Sequence, residues 1–242
     1  MTVLLTRPQG LNASLAQSLS ALCVSSIETP LIEIHAVQDK QLQEKAWRAQ
    51  RIIFISPRAV DYALNQCSFW PEDKSYYAIG QATQARLAHY GIQADAPDAP
   101  YTSESLLSCF DDDLHECEVL IVRGVGGREK LGQGLQDLGA AVTYAEVYQR
   151  CIPQFDRATL CTFWQEQQVS IVQVTSAMIL EFFQQSFKNA DWLWAQQLQF
   201  IVPSPRLLQR AKQMGFMHVH LASGADDVAM LKQIQRLSMT TE

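Results

Sequence analysis

The stretch IIFISPRAVDYALN, residues 52–65, is matched in the second half of the chain by IVQVTSAMILEFFQ, residues 171–184. Each stretch begins with an apolar run typical of a buried strand, continues through a Ser- or Thr-containing turn, and ends in a helical pattern. A second pair follows in the same order, because AIGQATQARLAHYGIQADAP (78–97) matches IVPSPRLLQRAKQMGFMHVH (201–220). Two matched blocks in one order indicate an internal repeat.

A third block of the repeat is out of order. The sequence VLIVRGVGGREKLGQGLQDLGAAVTYAEVY, residues 119–148, has its best match at the front of the chain, in residues 3–35. At a constant offset Arg7 aligns with Arg123, and the leucines that follow also align. The second copy is therefore permuted, and the N-terminal segment is predicted to complete it.

This permutation predicts one domain inserted into another. We expect a discontinuous outer domain of residues 1–34 plus 153–242 and an inserted domain of residues 38–149. The linker strands are expected at about residues 30–37 and 145–153. Two linker segments that pass between the domains can act as a hinge. A hinge between two domains predicts a cleft.

Strands alternate with helices throughout, as in VLLT followed by LNASLAQSLSAL and VLIVRG followed by REKLGQGLQDL. This alternation is typical of parallel βαβ units. The predicted fold class is α/β, with two doubly wound parallel-sheet (flavodoxin-like) domains, one inserted in the other and joined by a two-stranded β linker.

Composition excludes several classes of protein. Of 242 residues 48% are hydrophobic, which indicates a folded globular chain, and the net charge of −6 argues against a nucleic-acid surface. No apolar run is long enough to span a membrane and the N-terminus lacks the apolar region of a secretory signal, so we expect a cytoplasmic protein. The six cysteines form no CxxC pair and are expected to be free thiols, and we predict no metal site.

The turns after the predicted strands share a small vocabulary: TRP at residues 6–8, SPR at 56–58 and 204–206, and TSA at 175–177. Helix capping explains Ser or Thr followed by Pro at such positions. The alternative is that hydroxyls, free amides and the positive end of the helix form receptors for anions. Arginines sit in the same turns, where an open parallel sheet places its ligand, which favours a small polyanion; they are Arg7, Arg58, Arg123, Arg128 and Arg206.

Motifs for other chemistries are missing from the sequence. The RGVGGRE stretch at residues 123–129 lacks the GK[ST] ending of a P-loop and the glycine spacing of a dinucleotide site. Neither a nucleophile elbow nor HExxH occurs. An enzyme with this sequence would act mainly by positioning its substrate, and we predict no cofactor.

A set of short motifs in order carries a family resemblance. Those motifs are TRP (6–8), PLIEI (30–34), IIFISPRAV (52–60), YYAIGQAT (76–83), TSESLL (102–107), VLIVRGVGGRE (119–129), EVYQR (146–150), VTS (174–176) and the final SPR (204–206). Together they span nearly the whole chain, and the chain resembles the uroporphyrinogen-III synthase family.

That resemblance implies an activity. Members close linear hydroxymethylbilane into uroporphyrinogen III with inversion of ring D and loss of water, through a spiro intermediate, in the biosynthesis of tetrapyrroles such as heme and siroheme. The substrate lies in the cleft between two α/β domains and carries acetate and propionate carboxylates. The resemblance implies a hydro-lyase that needs no cofactor, nucleic acid or membrane and that we expect to be a monomer; transient contact with the preceding or following pathway enzyme stays open.

The resemblance also implies site residues. Tyr148 of EVYQR is the residue predicted to assist departure of the hydroxyl. The arginines that follow the paired strands, Arg7 and Arg123, are added as substrate-binding residues from their positions after predicted strands. The positions that carry over as substrate-binding residues are Thr6, Ser56, Arg58, Thr83, Ser103, Ser176 and Ser204.

A rival interpretation is a two-domain hinge protein that binds a small polycarboxylate without converting it. Hinged α/β domains with capped turns are also typical of solute receptors. Such receptors are usually exported, and no signal is recognised in this sequence. A flavin or nucleotide enzyme is a weaker rival, since the sequence lacks a suitable phosphate loop.

Overall fold

The computed structural model describes residues 1–67, 69–110, 114–127, 129–187 and 190–238. Its contacts divide the chain into two compact units. Unit 1 comprises Met1–Glu33 and Cys151–Glu242, and unit 2 comprises Ile34–Arg150. Unit 2 therefore interrupts unit 1 in the sequence. Among the described residues, no helix combines the length and apolar character needed to cross a membrane.

Strands and helices alternate along most of the chain. The strands are β1 (Thr2–Leu5), β2 (Ser25–Glu28), β3 (Glu33–Ala36), β4 (Arg51–Phe54), β5 (Ser75–Ala78), β6 (Glu118–Gly124), β7 (Ala141–Cys151), β8 (Val169–Gln173), β9 (Gln199–Val202) and β10 (His218–Leu221). The helices are α1 (Ala13–Ala21), α2 (Leu42–Arg48), α3 (Pro57–Leu64), α4 (Gln81–His89), α5 (Ser103–Leu107), α6 (Lys130–Asp137), α7 (Arg157–Glu166), α8 (Ala177–Ser186), α9 (Ala190–Gln197), α10 (Pro205–Gln213) and α11 (Asp227–Ser238).

The two units contain sheets with the same internal order. The sheet of unit 1 runs β10-β9-β8-β1-β2, and that of unit 2 runs β3-β7-β6-β4-β5. Read from the other edge, β5-β4-β6-β7 corresponds to β9-β8-β1-β2, and all of these neighbours are parallel. The N-terminal strand β1 thus occupies in unit 1 the position of β6 in unit 2, as a permuted repeat requires. The predicted α/β fold with two doubly wound, mostly parallel sheets is confirmed.

Each sheet is buried on both faces. In β1, Val3 and Leu5 belong to one apolar cluster of unit 1 while Leu4 belongs to the other. In β4, Ile52 and Phe54 contact one cluster of unit 2 while Ile53 contacts the other. Successive side chains of a strand point to opposite faces, so helices must cover both sides of each sheet. This burial explains why the strands read as continuous apolar runs.

The two SPR turns begin helices as the capping pattern predicts. Ser56 precedes α3 and its Oγ accepts a hydrogen bond from the Ala59 amide at 3.1 Å. Ser204 precedes α10 and accepts from the Leu207 amide at 3.3 Å. In both helices proline occupies the first turn, where its missing N–H is not needed.

The TRP turn does not begin a helix, and the capping interpretation is wrong there. Helix α1 starts only at Ala13, after a turn in which Gly10 has a positive φ of 81°. Thr6 is fully buried, and its hydroxyl donates a hydrogen bond to the Gln173 carbonyl at the end of β8. The hydroxyl therefore joins two neighbouring strands instead of capping a helix.

Candidate functional site

Unit 2 contains a cavity of about 650 Å³ at the carboxyl ends of its strands. Ile55 follows β4, Ile79 follows β5, and residues 124–127 form the turn after β6; all of them line the cavity. The end of β7 and the start of α5 complete the wall. Ligands of open α/β sheets bind at this edge, because the loops after the strands leave a crevice there. The cavity is therefore the candidate site of unit 2.

Tyr148 on β7 is a closely packed side chain of this cavity. It is only 4% exposed, and its ring lies 5.6 Å from the Tyr62 ring. Its hydroxyl lies 3.3 Å from Ser56 Oγ, and either group can donate the hydrogen bond. A Cβ at Gly124 would come within 2.6 Å of the Tyr148 ring, so the strand must carry glycine there. The ring is held on two sides while the hydroxyl is directed to the N-terminus of α3.

Arg123 also lines the cavity, but its guanidinium already has partners within unit 2. Nε and Nη2 contact Glu146 Oε1 at 3.2 and 3.1 Å, and Nη1 donates to the Gly127 carbonyl at 3.2 Å. The guanidinium carbon lies 3.8 Å from the centroid of the Tyr144 ring, in cation–π contact. Arg123 therefore braces the turn after β6.

The other two cations in the cavity wall differ from each other. Lys130 forms an ion pair with Glu104, whose pKa is lowered chiefly by the hydrogen bond from Lys130. Both side chains of this pair are more than half exposed, so water screens the pair. Arg150 is exposed, and its side chain makes no hydrogen bond or ion pair with any residue that the structure describes.

The packing around Tyr144, whose ring Arg123 contacts, gives a test of stability beside the cavity. Gly132 lies inside α6, where alanine would normally stabilise an exposed helix by about 1 kcal/mol. Its Cβ, however, would lie 1.8 Å from the Tyr144 hydroxyl. We therefore expect Gly132→Ala to destabilise the protein by about 1–3 kcal/mol through overpacking, seen as a fall in the midpoint of thermal unfolding by circular dichroism. In a Tyr144→Phe background the fall should be smaller; a rise in the midpoint for Gly132→Ala alone would show that Tyr144 moves aside.

In unit 1, Arg7 occupies the position that Arg123 has in unit 2. Arg7 is 8% exposed, forms an ion pair with Asp227 of α11, and donates to the Ala225 carbonyl. Its Nη1 also donates to the Leu11 carbonyl at 3.4 Å, four residues on, just as Arg123 donates to Gly127. The two aligned arginines thus brace equivalent turns.

Unit 1 also holds a buried hydroxyl that has no partner among the described residues. Ser176 precedes α8, yet its Oγ makes no cap hydrogen bond, and the atom is buried without a partner among the described residues. A buried hydroxyl that lacks a hydrogen bond costs about 1–3 kcal/mol, so such groups are rare in native proteins.

Comparison with known proteins identifies the family. A family model described as HEM4, Uroporphyrinogen-III synthase HemD, matches residues 13–232. The chain belongs to the uroporphyrinogen-III synthase family. The family predicted from the ordered motifs is thereby confirmed.

Relatives of the synthase family match along nearly the full length. The uroporphyrinogen-III synthase of Escherichia coli (strain K12) is 32% identical over 248 residues, which cover 97% of this chain and 100% of the relative. The Salmonella typhimurium (strain LT2) enzyme of the same name is 31% identical over 250 residues, with the same coverage.

Solved structures of synthases share the fold. A mutant uroporphyrinogen III synthase from the extremely thermophilic bacterium Thermus thermophilus superposes with a TM-score of 0.67 at 14% identity and covers 100% of both chains. The uroporphyrinogen-III synthetase of Helicobacter pylori 26695 has a TM-score of 0.68 at 14% identity and covers 98% of this chain and 99% of its own.

The structure brings four of the synthase-motif residues together in unit 2. Ser103 at the start of α5, Arg123 and Tyr148 line the cavity, and Ser56 contacts Tyr148. The side chain of Arg58, two residues after Ser56, makes no hydrogen bond or ion pair with the described part of the chain.

The remaining motif residues lie elsewhere. Thr83 in the first turn of α4 is 2% exposed and is not part of the cavity wall. Thr6, Arg7, Ser176 and Ser204 belong to unit 1. Arg128 of the glycine-rich turn lies outside the residues that the structure describes. The contacts of Arg7 and Arg123 assign both a positioning role, and direct binding of substrate by either stays a prediction.

Two groups in the cavity wall were not singled out from the sequence. Arg150 belongs to the EVYQR motif and lies two residues after Tyr148. This spacing could have identified it as a site residue, because alternate residues of a strand face the same side. The Lys130–Glu104 pair joins α6 to α5, and no local pattern marks either residue, because the contact spans two separate turns.

Proposed function

We propose that this protein is a uroporphyrinogen-III synthase, a hydro-lyase that cyclises hydroxymethylbilane to uroporphyrinogen III with inversion of ring D and loss of water. The observation that carries the proposal is the similarity to synthases over nearly the whole chain, with 97% of this chain and 100% of the Escherichia coli relative covered. The order of the motifs and the position of Tyr148 in a cavity are in accord with it.

The charge and lining of the cavity suit a carboxylated ligand. Its described wall has three cationic side chains and one acidic side chain, although the chain as a whole has a net charge of −6. Hydroxyls of Thr102, Ser103 and Tyr148 and the amides of the glycine turn add hydrogen-bonding groups to this wall. Cations and amides bind carboxylates through charge-assisted hydrogen bonds. In unit 1, Ser176 and Ser204 are proposed to supply further receptors, each at the start of a helix of its own.

In the proposed reaction, the bond between the terminal methylene carbon and its hydroxyl breaks, and the hydroxyl leaves as water with one added proton. The resulting azafulvene cation is attacked by the substituted carbon of ring D, which forms a spiro intermediate. The original bond between that ring D carbon and its methylene bridge then breaks, which leaves a cationic methylene. The unsubstituted α-carbon of ring D bonds to this methylene and loses its proton, so the ring closes in the inverted orientation. The substrate supplies the electrophile, so the protein needs chiefly to hold the chain in the conformation that favours inversion.

Tyr148 is proposed to assist departure of the hydroxyl. A phenol both donates and accepts hydrogen bonds, and the Tyr148 hydroxyl is held at a defined position by its contact with Ser56. Arg123 and Arg7 are proposed to fix the turns that bear the binding groups. Thr6 is proposed to hold the end of β1 against β8 next to the turn that Arg7 fixes. Arg58 and Thr83 are proposed as substrate-binding residues from the synthase motifs.

We further propose that the protein works in the cytoplasm as a monomer, without a cofactor, in the pathway to heme and siroheme. Hydroxymethylbilane is unstable, so its producer and the enzyme that consumes the product are candidates for transient contact. The proposal rests on the family and on the requirements of the reaction.

The direct test supplies enzymatically generated hydroxymethylbilane to the purified protein and separates the oxidised products by isomer on chromatography. A reaction without protein measures spontaneous closure to the type I ring. Predominant type III ring is the expected result. Only type I ring at the spontaneous rate would refute the proposal and favour a protein that binds the polycarboxylate without converting it.

A further inference from the structure

We propose that Arg150 is a specificity-determining residue that binds a side-chain carboxylate of the substrate in the cavity of unit 2. The identity of the anion rests on the proposed function. Arg150 ends the EVYQR motif, but its role is inferred here from the state of the cations in the cavity wall.

Two of the three described cations in this wall are already neutralised. Arg123 is 7% exposed and contacts Glu146, the Gly127 carbonyl and the face of Tyr144. Lys130 is held by Glu104. A carboxylate that approached either cation would compete with an existing acidic partner. Arg150, in contrast, has its donors available, since it contacts no acidic group or carbonyl of the described chain.

The position of Arg150 on β7 connects it to the proposed chemistry. It lies two residues beyond Tyr148 on the same strand, and both side chains line the cavity. The planar guanidinium can hold a carboxylate through two parallel hydrogen bonds, which fixes the direction of the bound arm as well as its place. A carboxylate held there orients the attached pyrrole relative to the Tyr148 hydroxyl. Arg150 thereby selects substrates that carry a carboxylate arm at the right distance.

The test compares Arg150→Gln, which removes the charge, with Arg150→Lys, which keeps the charge but loses the fork. Two probes are titrated by fluorescence: a porphyrin with eight carboxylates and one with four. Arg48→Gln is the matched control, because Arg48 is an exposed arginine of unit 2 that pairs with Glu118 and lies outside the cavity wall. Thermal unfolding of each variant checks that the fold is retained, as expected for Arg150, an exposed side chain without partners among the described residues.

For Arg150→Gln we expect about a tenfold weaker affinity for the eight-carboxylate porphyrin, corresponding to the loss of one charged hydrogen-bonded pair. The ratio of the affinities for the eight-carboxylate and the four-carboxylate porphyrin should fall in Arg150→Gln. In Arg150→Lys this ratio should lie between those of Arg150→Gln and the wild type. In turnover, KM should rise by a similar factor while kcat stays within about twofold, since a binding interaction is lost. The difference from the wild type should diminish at about 1 M salt because of screening.

The outcomes separate the two proposals. Unchanged porphyrin affinity and unchanged KM in a folded Arg150→Gln protein would overturn the role of Arg150 while the synthase activity stands. If the wild-type protein yields only type I ring, the synthase activity is refuted. Weaker porphyrin binding by Arg150→Gln than by that wild type would still support Arg150 as a carboxylate receptor. An equal loss in Arg150→Gln and Arg48→Gln, the two variants that remove a charge, would assign the effect to general charge and overturn the inference.

Discussion

Deletion of residues 1–28 is expected to make the protein insoluble on expression. The segment contains β1, α1 and β2, and β1 lies between β8 and β2 in the interior of the unit 1 sheet. Without it, the edge of β8 and both faces beside it would be exposed. An unpaired apolar strand edge in an incomplete sheet is a template for aggregation.

The energetic loss is comparable with the whole stability of a domain. Five apolar side chains of the segment are 0% exposed: Val3, Leu4, Leu5, Leu15 and Leu19. Burial of one such side chain contributes about 1.5–3 kcal/mol, so the five together contribute on the order of 10 kcal/mol. Typical domains have only about 5–15 kcal/mol of net stability. Unit 1 is therefore expected to lose its fold.

A fragment of residues 33–151 serves as the control for this deletion. It retains the complete set of unit 2 strands, β3-β7-β6-β4-β5, and is expected to remain soluble and to unfold cooperatively. Solubility of the two proteins is compared after expression under the same conditions, with circular dichroism of the soluble fractions. A well-folded protein lacking residues 1–28 would contradict the completion of unit 1 by its N-terminal segment.

Replacement of Tyr148 by Phe is expected to lower kcat by about 100-fold, the lower range for loss of a general acid–base group. The ring is kept, so its packing against Tyr62 and Gly124 should persist. Only the hydrogen bond to Ser56 is lost from the protein, at a cost of about 1 kcal/mol. The rate of type III ring formation should thus fall far more than the unfolding midpoint.

Ser56→Ala is the matched control for Tyr148→Phe. It removes the same hydrogen bond and the cap of α3 but leaves the phenol hydroxyl in the cavity. We expect less than a tenfold loss of rate, because binding is distributed over many weak contacts. An unchanged rate in Tyr148→Phe would remove Tyr148 from the mechanism. Complete loss at Ser56→Ala with the fold intact would instead identify Ser56 as a dedicated catalytic residue.

The fold was largely predictable because its determinants are local and repeated. The strand and helix patterns recur in two halves of the chain, and Ser56 and Ser204 begin their helices as the turn sequence indicates. The arginine alignment was equally informative, since Arg7 and Arg123 make the same contact four residues on.

The site was less predictable because its contacts join distant parts of the chain. The ion pair of Arg7 is with Asp227, so no local pattern could show that its charge is neutralised. Thr6 looked like a helix cap, yet its hydroxyl bonds to Gln173 on a neighbouring strand. The sequence could not show that the guanidinium of Arg150 is free to bind a ligand, for the same reason. The residues next to an arginine in the sequence do not tell whether an acidic side chain contacts it in the fold. Sequence patterns identified the turns, while the contacts decide which of their groups remain free to bind.

The interior place of β1 sets the order in which the nascent protein can fold during translation. This strand leaves the ribosome before unit 2, but its partner β8 emerges only after all of unit 2 has been made. Unit 2 can close its own sheet before residues 151–242 exist, since its strands lie within one continuous stretch. Until then β1 must wait without β8 on one side, the point in synthesis at which a chaperone would have most to protect.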